Sequence, residues 1–275
     1  MAPESNTKKR RTLPARTIIR YGFIVILACL LLTGVLYASQ RIEQFLIQDP
    51  HFVLPGPADY GLESPNLELA GIQYASRTQI VRVFSADYGR SLYFFPLAAR
   101  RKALLGVAWV HDASIERIWP NRIRVEIAER TPAAFLKLPA DGMSLWALID
   151  AEGVILEPPP KHVFRLPVLT GVSTAETAEM RATRVRRMRR LMAELGPLAG
   201  SVSEVDASDL EDLKVVEQVD GRTVALLLGD QNFASRVRNF REHYAEIHRK
   251  LPQAATFDLR LDDRITELKG SGDVR

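Results

Sequence analysis

From Tyr21 to Ala38 the chain runs without a charged side chain (YGFIVILACLLLTGVLYA), and the apolar density falls back to a mixed pattern on either side. At 1.5 Å per residue such a run reaches about 27 Å as a helix, close to the ~30 Å hydrocarbon core of a bilayer. The pattern predicts one membrane-spanning helix over 21–38. Lys8, Lys9, Arg10, Arg11, Arg16 and Arg20 precede it, with Glu4 the one acid among them. The positive-inside rule then keeps residues 1–20 in the cytoplasm as a basic tail and puts the chain from about residue 39 onward on the far side. A cleaved secretory signal has a similar outline, but its apolar core is usually about 7–15 residues long and ends in small residues before the cut. Cleavage after Ala38 would place Leu36 where a small residue is wanted, so an uncleaved anchor is expected.

Residues 39–65 contain Pro50, Pro55, Gly56, Pro57, Gly61 and Pro65, which interrupt regular structure repeatedly. They read as a linker, with Phe52, Val53 and Leu54 suited to a short strand. Residues 66–131 are patterned as a small domain. Leu67 to Ile72 suits a strand. Ser76 with Gln79 three residues on suits a helix start of the capping-box kind, and Ile80, Val81, Val83 and Phe84 give that helix a buried side. Gly89 is placed to end it. Pro96 suits the first turn of a second helix carrying Leu97, Leu104 and Leu105 before Gly106. Ala108 to Phe135 then reads as two strands around Pro120 and Asn121, with Ile123, Val125 and Ile127 alternating with Arg122, Arg124 and Glu126. Such a period of two marks a sheet with one wet face. A three-stranded sheet covered on one face by two helices follows, because each helix has only one apolar stripe to bury.

Residues 132–269 read as a second, larger domain, rich in strands with helices inserted, leaving 270–275 as a tail; the fold class expected is α+β. Trp146 to Leu156 suits a hairpin around Asp150 to Gly153, and Leu213–Val219 with Val224–Leu228 a second one around Asp220 and Gly221. Between them lies a helix dense in Arg181, Arg184, Arg186, Arg187, Arg189 and Arg190, with Val185, Met188, Leu191 and Leu195 on its apolar side. The arginines are spread too widely around the helix for one continuous patch, so a solvated face is expected. A later helix repeats Phe233, Val237, Phe240, Tyr244, Ile247 and Leu251 at alternating spacings of four and three, which is a core stripe. Near the end of the chain Phe257, Leu259 and Leu261 alternate with Asp258, Arg260 and Asp262, and a further short strand is expected over Ile265 to Leu268. A strand there tends to lie at a sheet edge, where unpaired backbone groups can accept a strand from another protein.

The formal net charge is +4, but the basic tail accounts for six positive charges and one negative, leaving the rest of the chain one charge below neutral. The basic excess is explained by topology and by attraction to anionic headgroups, and no nucleic-acid partner is expected. Cys29, the single cysteine, lies in the anchor, so the exterior part must fold without an internal disulfide. His51, His111, His162, His243 and His248 are scattered, and no pair has the spacing of helical zinc ligands. Ser5 to Lys8 matches S-x-x-K inside the cytoplasmic tail without the motifs that accompany it in enzymes. There is neither G-x-S-x-G nor a phosphate-binding glycine loop, and Asp150 with Glu152 reads as a solubilising turn rather than an acid pair. No enzyme activity, cofactor or metal is expected.

Trp109 and Val110, Ala113 to Ile115, Arg117, Trp119 and Pro120, and Glu129, Arg130, Pro132 and Ala134 together resemble the bacterial division proteins of the FtsQ and DivIB family, whose exterior part starts with a polypeptide-transport-associated (POTRA) domain. Downstream, Leu148, Asp150 and Gly153 look like that family's hairpin motif, Leu166 to Gly171 like its L-P-x-L-x-G, and Asp258 to Leu261 like its terminal D-L-R-Y. The chain departs from the pattern at Leu69 to Ile72, where V-x-G-N is usual, and at Leu261, where an aromatic is usual. The resemblance implies a scaffold of the division machinery, at the septum, that binds FtsB- and FtsL-like single-pass proteins through its carboxy-terminal sheet edge. The residues it implicates are Phe257, Asp258, Leu259, Arg260, Leu261, Ile265 and Leu268. A membrane-tethered cell-wall enzyme or carbohydrate-binding module is the alternative, and converging acids in a cleft would favour it. A chaperone feeding an outer-membrane barrel is a third, which would be marked by repeated POTRA units or a barrel.

Overall fold

A computed structural model describes residues 15–57, 63–140, 143–160 and 162–268. Most of the basic tail, including Lys8 to Arg11, and the segment 270–275 lie outside the described residues. Contacts divide the described chain into a first unit drawn from Met1–Glu68, Val81–Arg100 and Ile115–Val125 and a second drawn from Leu69–Ile80, Arg101–Ser114 and Glu126–Arg275.

The first helix, α1, is Ala15–Gln48. Within it Ile19–Phe45 is long and apolar enough to cross a membrane, and no residue of that stretch is buried. The helix runs well past Ala38, where a linker was expected. Residues 39–48 contain neither Gly nor Pro, so nothing in them stops a helix already nucleated. It ends before Pro50, which biases the preceding residue away from helical geometry; Asp49 accepts a bond from His51 N at 2.8 Å and caps a 3-10 turn over Pro50–Phe52. The strand expected at 52–54 is a single bridge, Val53 to Ser91. Beside it Leu54 is fully buried, donating to Arg90 O at 3.0 Å and accepting from Gly89 N at 2.9 Å.

Strand β1 (Leu67–Ala70) stops before Gly71, whose φ of +78° and close approach to the Ile127 backbone leave no room for a Cβ. Helix α2 (Arg77–Arg82) begins behind Ser76, which accepts from Gln79 N at 3.4 Å as the capping pattern predicts. It ends at Arg82, well short of Gly89. A 3-10 turn over Ser85–Asp87 intervenes, fixed by the buried Asp87, which takes two bonds from Arg100 at 2.6 and 2.9 Å. Helix α3 (Leu97–Leu104) follows Pro96, and then β2 (Val110–Ile118) and β3 (Arg122–Glu129). Ile123, Val125 and Ile127 are buried, as their alternation requires. The three strands form a sheet in the order β1-β3-β2.

The larger sheet comprises β4 (Pro132–Ala140), β5 (Met143–Asp150), β6 (Ile155–Leu156), β7 (Val168–Thr170), β8 (Val202–Asp206), β9 (Leu213–Val219), β10 (Arg222–Gly229), β11 (Thr256–Asp258) and β12 (Thr266–Glu267). Their order is β12-β11-β10-β9-β8-β7-β4-β5-β6. Pairing is antiparallel except at β4–β7, β7–β8 and β10–β11. Helices α4 (Ala178–Leu195) and α5 (Phe233–Lys250) supply the other half of its core. Val185, Met188, Leu191 and Leu195 of α4 and Phe233, Val237, Phe240 and Tyr244 of α5 are buried with Leu136, Ile149, Leu169, Val215 and Leu226 of the strands. Ile247 packs against this core from its rim, and Leu251 is exposed. The turn at Asp220 and Gly221 has φ of +50° and +77°, the left-handed pair that a two-residue hairpin matched to strand twist demands.

Gly153, with φ +79°, faces the backbone of Ala178 and Ala182 at the start of α4 so closely that a Cβ has no space. Gly153→Ala is expected to lower stability by about 2 kcal/mol or more, from backbone strain plus the forced separation of hairpin and helix. A thermal melt within a degree of the parent would contradict this placement.

Candidate functional site

The carboxy-terminal end of the large sheet is built from three segments. Strand β11 lies parallel to β10, pairing Leu226 with Phe257 and Leu227 with Asp258, and is tied on by Ala225 N to Ala255 O at 2.8 Å and Leu259 N to Leu227 O at 2.9 Å. Strand β12 lies antiparallel outside it, pairing Glu267 with Phe257 and Thr266 with Asp258. It is the last strand in the order, so its outer row of backbone groups has no strand partner among the described residues. Leu268 N donates inward to Thr256 O at 3.0 Å. Successive residues of a strand alternate, so the N–H of Glu267 points outward.

The residues singled out in the sequence divide by role. Phe257 and Leu259 are 1% and 2% exposed and belong to the core, where the Phe257 ring lies 5.0 Å from that of Phe240. They position the edge and present no side chain outside. Asp258 accepts from the Arg260 guanidinium at 2.7 and 3.0 Å and from Arg260 N at 3.0 Å, and Arg260 reaches on to Asp212 at 2.8 Å. The Arg260 bonds hold the Asp258 carboxyl below its ordinary range, and Asp258 in turn pushes the guanidinium up. Leu261 is exposed. Ile265 is half-buried and, with Leu259, Leu261, Asp262 and Asn239 of α5, lines an open cleft beside the edge. Leu268 is half-buried beyond β12.

Arg236 is part of this end of the sheet and was not anticipated. It sits on α5, buried, donating to Leu228 O at 2.6 Å and to Asp262 at 2.9 Å. Its position three residues after Phe233 puts it on the apolar stripe, and a charged residue there needs a partner. That was the available signal.

Asp150 and Glu152 are more than a solubilising turn. Asp150 is buried, accepts from Glu152 N and Val154 N at 2.9 and 2.8 Å, and takes Arg130 Nη1 at 2.7 Å; the same nitrogen donates to Glu152 at 2.6 Å. The Arg130 bond draws the Glu152 carboxyl below its ordinary range, the opposite of the raised value that a general acid needs. Glu129 accepts from the backbone N–H groups of Gln73, Tyr74 and Ala75 at 2.7–2.9 Å, a fold-setting contact invisible to periodicity. On α4, Arg181 donates to Gly153 O at 2.8 Å, Arg184 to Glu176 at 2.9 and 3.0 Å and Arg186 to the Thr183 hydroxyl at 2.7 Å, so three of the six arginines turn to the protein itself. Among the described residues no group of three His, Cys, Asp or Glu side chains is disposed to hold a metal.

Two family models match the chain: POTRA domain, FtsQ-type, over residues 65–130, and Cell division protein FtsQ/DivIB, C-terminal, over residues 141–260. A Koribacter versatilis protein named Cell division protein FtsQ is 36% identical over 209 residues, 74% of this chain and 59% of the relative. Proteins of the same name from Novosphingobium aromaticivorans and Rhodothermus marinus are 35% identical over 100 residues and 31% over 138, covering 36% and 48% of this chain and 30% and 50% of their own lengths. The chain thus spans less than two thirds of these relatives' own length. It belongs to the FtsQ/DivIB family.

The lowered Asp258 carboxyl fixes the sign of a pH effect at this edge. A carboxylate whose folded pKa is depressed stabilises the fold fully above its unfolded value, about 3.9, and loses that contribution as pH falls through the lower folded value. Arg260 is half exposed, so the contribution is expected to be about 1 kcal/mol or less. The stability gap between the parent and Asp258→Asn, read from thermal melts, should be constant above about pH 5 and close toward pH 2. A gap unchanged at pH 2 would contradict the pairing.

Proposed function

We propose that this FtsQ/DivIB-family chain is a non-catalytic membrane-anchored scaffold of the division machinery that accepts FtsB- and FtsL-like single-pass partners on the outer edge of β12. In this reading residues 1–20 are cytoplasmic and the bulk lies outside the membrane, as the basic residues before the span favour. Residues 66–131 act as the POTRA domain and 132–269 as the partner-binding β domain, linking early and late division proteins at the septum.

One observation carries the partner proposal: the sheet ends on a two-residue strand whose outward backbone groups have no strand partner among the described residues, beside an exposed Leu261. Strand addition at such an edge draws affinity from backbone hydrogen bonds and specificity from pockets for alternate side chains. The cleft at Leu261 and Ile265 is placed to supply such a pocket.

Glu267→Pro removes the outward N–H, a position where an edge strand tolerates proline, and Leu261→Glu charges the cleft. Each is expected to cut capture of FtsB- and FtsL-like chains by the detergent-solubilised protein by about tenfold or more, the scale of one well-placed contact of 1.4 kcal/mol or above, with the thermal melt preserved. Equal capture by both variants and the parent would place the interface elsewhere. No capture of such chains by the parent would remove the division-partner reading.

A further inference from the structure

The first unit carries exposed aromatic side chains at the outer end of α1 that neither a core nor the β12 edge uses. Phe45, at the end of the apolar span, meets Phe52 edge-on at 5.6 Å, and Phe52 meets Trp119 edge-on at 5.8 Å. The bridge from Val53 to Ser91 brings a 3-10 turn, Leu92–Phe94, to the same segment. Leu92 is buried there, whereas Tyr93 and Phe94 are 48% and 58% exposed, and Trp119 is 50% exposed. One helical turn before Phe45, Arg41 donates to the Tyr37 hydroxyl at 3.1 Å and stacks over its ring.

Depth follows from these contacts. A tyrosine paired with an arginine suits the level where hydrocarbon gives way to headgroups. The 27 residues from Ile19 to Phe45 rise about 40 Å. That is about the thickness of the bilayer with both headgroup layers, ~40–45 Å around a ~30 Å core. Phe45 then sits at headgroup depth, and Trp119 is tied to it through a single intervening ring. Indole and phenol rings favour this zone because one end is apolar and the other polar.

We propose that Trp119, Tyr93 and Phe94 form a membrane-seated face, dipping into the headgroup region of the leaflet from which α1 emerges. The occupant is lipid: the aromatic chain is continuous with the anchor, and the exposed Arg90 beside Ser91 complements anionic headgroups. This rests on α1 crossing the membrane and is independent of the β12 edge. The face adds to the anchor a second attachment that limits how the first unit rotates over the bilayer.

The test uses the full chain in phosphatidylethanolamine and phosphatidylglycerol vesicles, with Trp109→Phe and Trp146→Phe leaving Trp119 as the only tryptophan. Lipids brominated near the top of the acyl chains are expected to remove on the order of half of its emission, because interfacial indoles lie at that level. Bromines near the bilayer centre should quench it less. A second readout does not depend on those substitutions: a nitroxide on Phe94→Cys in a Cys29→Ser background should be more accessible to oxygen than to a water-soluble nickel complex. Protein that floats with the vesicles but shows neither signature overturns the proposal alone. Protein that does not float overturns the anchor reading as well.

Discussion

The ring of Phe257 lies against Phe240 and is almost wholly removed from water, and the end of the large sheet depends on that contact. Burying a phenylalanine contributes about 1.5–3 kcal/mol, as much as two or three backbone hydrogen bonds at about 1 kcal/mol net each. With Phe257 seated under α5, β11 is held parallel to β10, and β12 has a strand to pair with. Arg236 and Arg260 then fasten the segment that follows, through Asp262, Asp258 and Asp212. An edge that is to receive another chain has to be rigid before the partner arrives, since ordering it on binding would subtract from affinity. Here rigidity comes from the buried face, and openness is confined to the outer backbone row.

Much of this was legible in the sequence because two periods carry it. The alternation through Ile123, Val125 and Ile127 located β3, and the spacing from Phe233 to Tyr244 located α5 with its buried face. Turn chemistry at Asp220 and Gly221 set one hairpin, and Asp150 to Gly153 the other. Endings were less legible. The apolar run marks which part of α1 suits lipid, but helix length is set by the next breaker, Pro50, so the helix passes through ten polar and apolar residues that hydropathy alone had separated from it. Gly89 likewise looked like a helix end, while the buried Asp87 and its Arg100 partner had already imposed a turn.

The candidate site was legible in outline only. Alternation over residues 257–262 says that one face is buried without saying by what, so Phe257 and Leu259 stood beside Leu261 as equals, although the first two are core and the third is exposed. Which strand is outermost depends on pairing between distant segments, and so do the roles of Arg236, Glu129 and the Arg130 pair with Asp150. The Glu129 and Arg130 contacts join segments far apart in sequence and leave no periodic trace, whereas Arg236 shows only as a charge on the apolar stripe of α5.

The central claim is that the outer edge of β12 is where a division partner adds a strand. Amide hydrogen exchange on the detergent-solubilised full chain, with and without the exterior part of an FtsB-like protein, tests it most directly. The account predicts new protection at Glu267, whose outward N–H gains a partner, with the Leu268, Phe257 and Leu259 amides already slow in the free protein. Protection that appears elsewhere while Glu267 exchanges as before would contradict it.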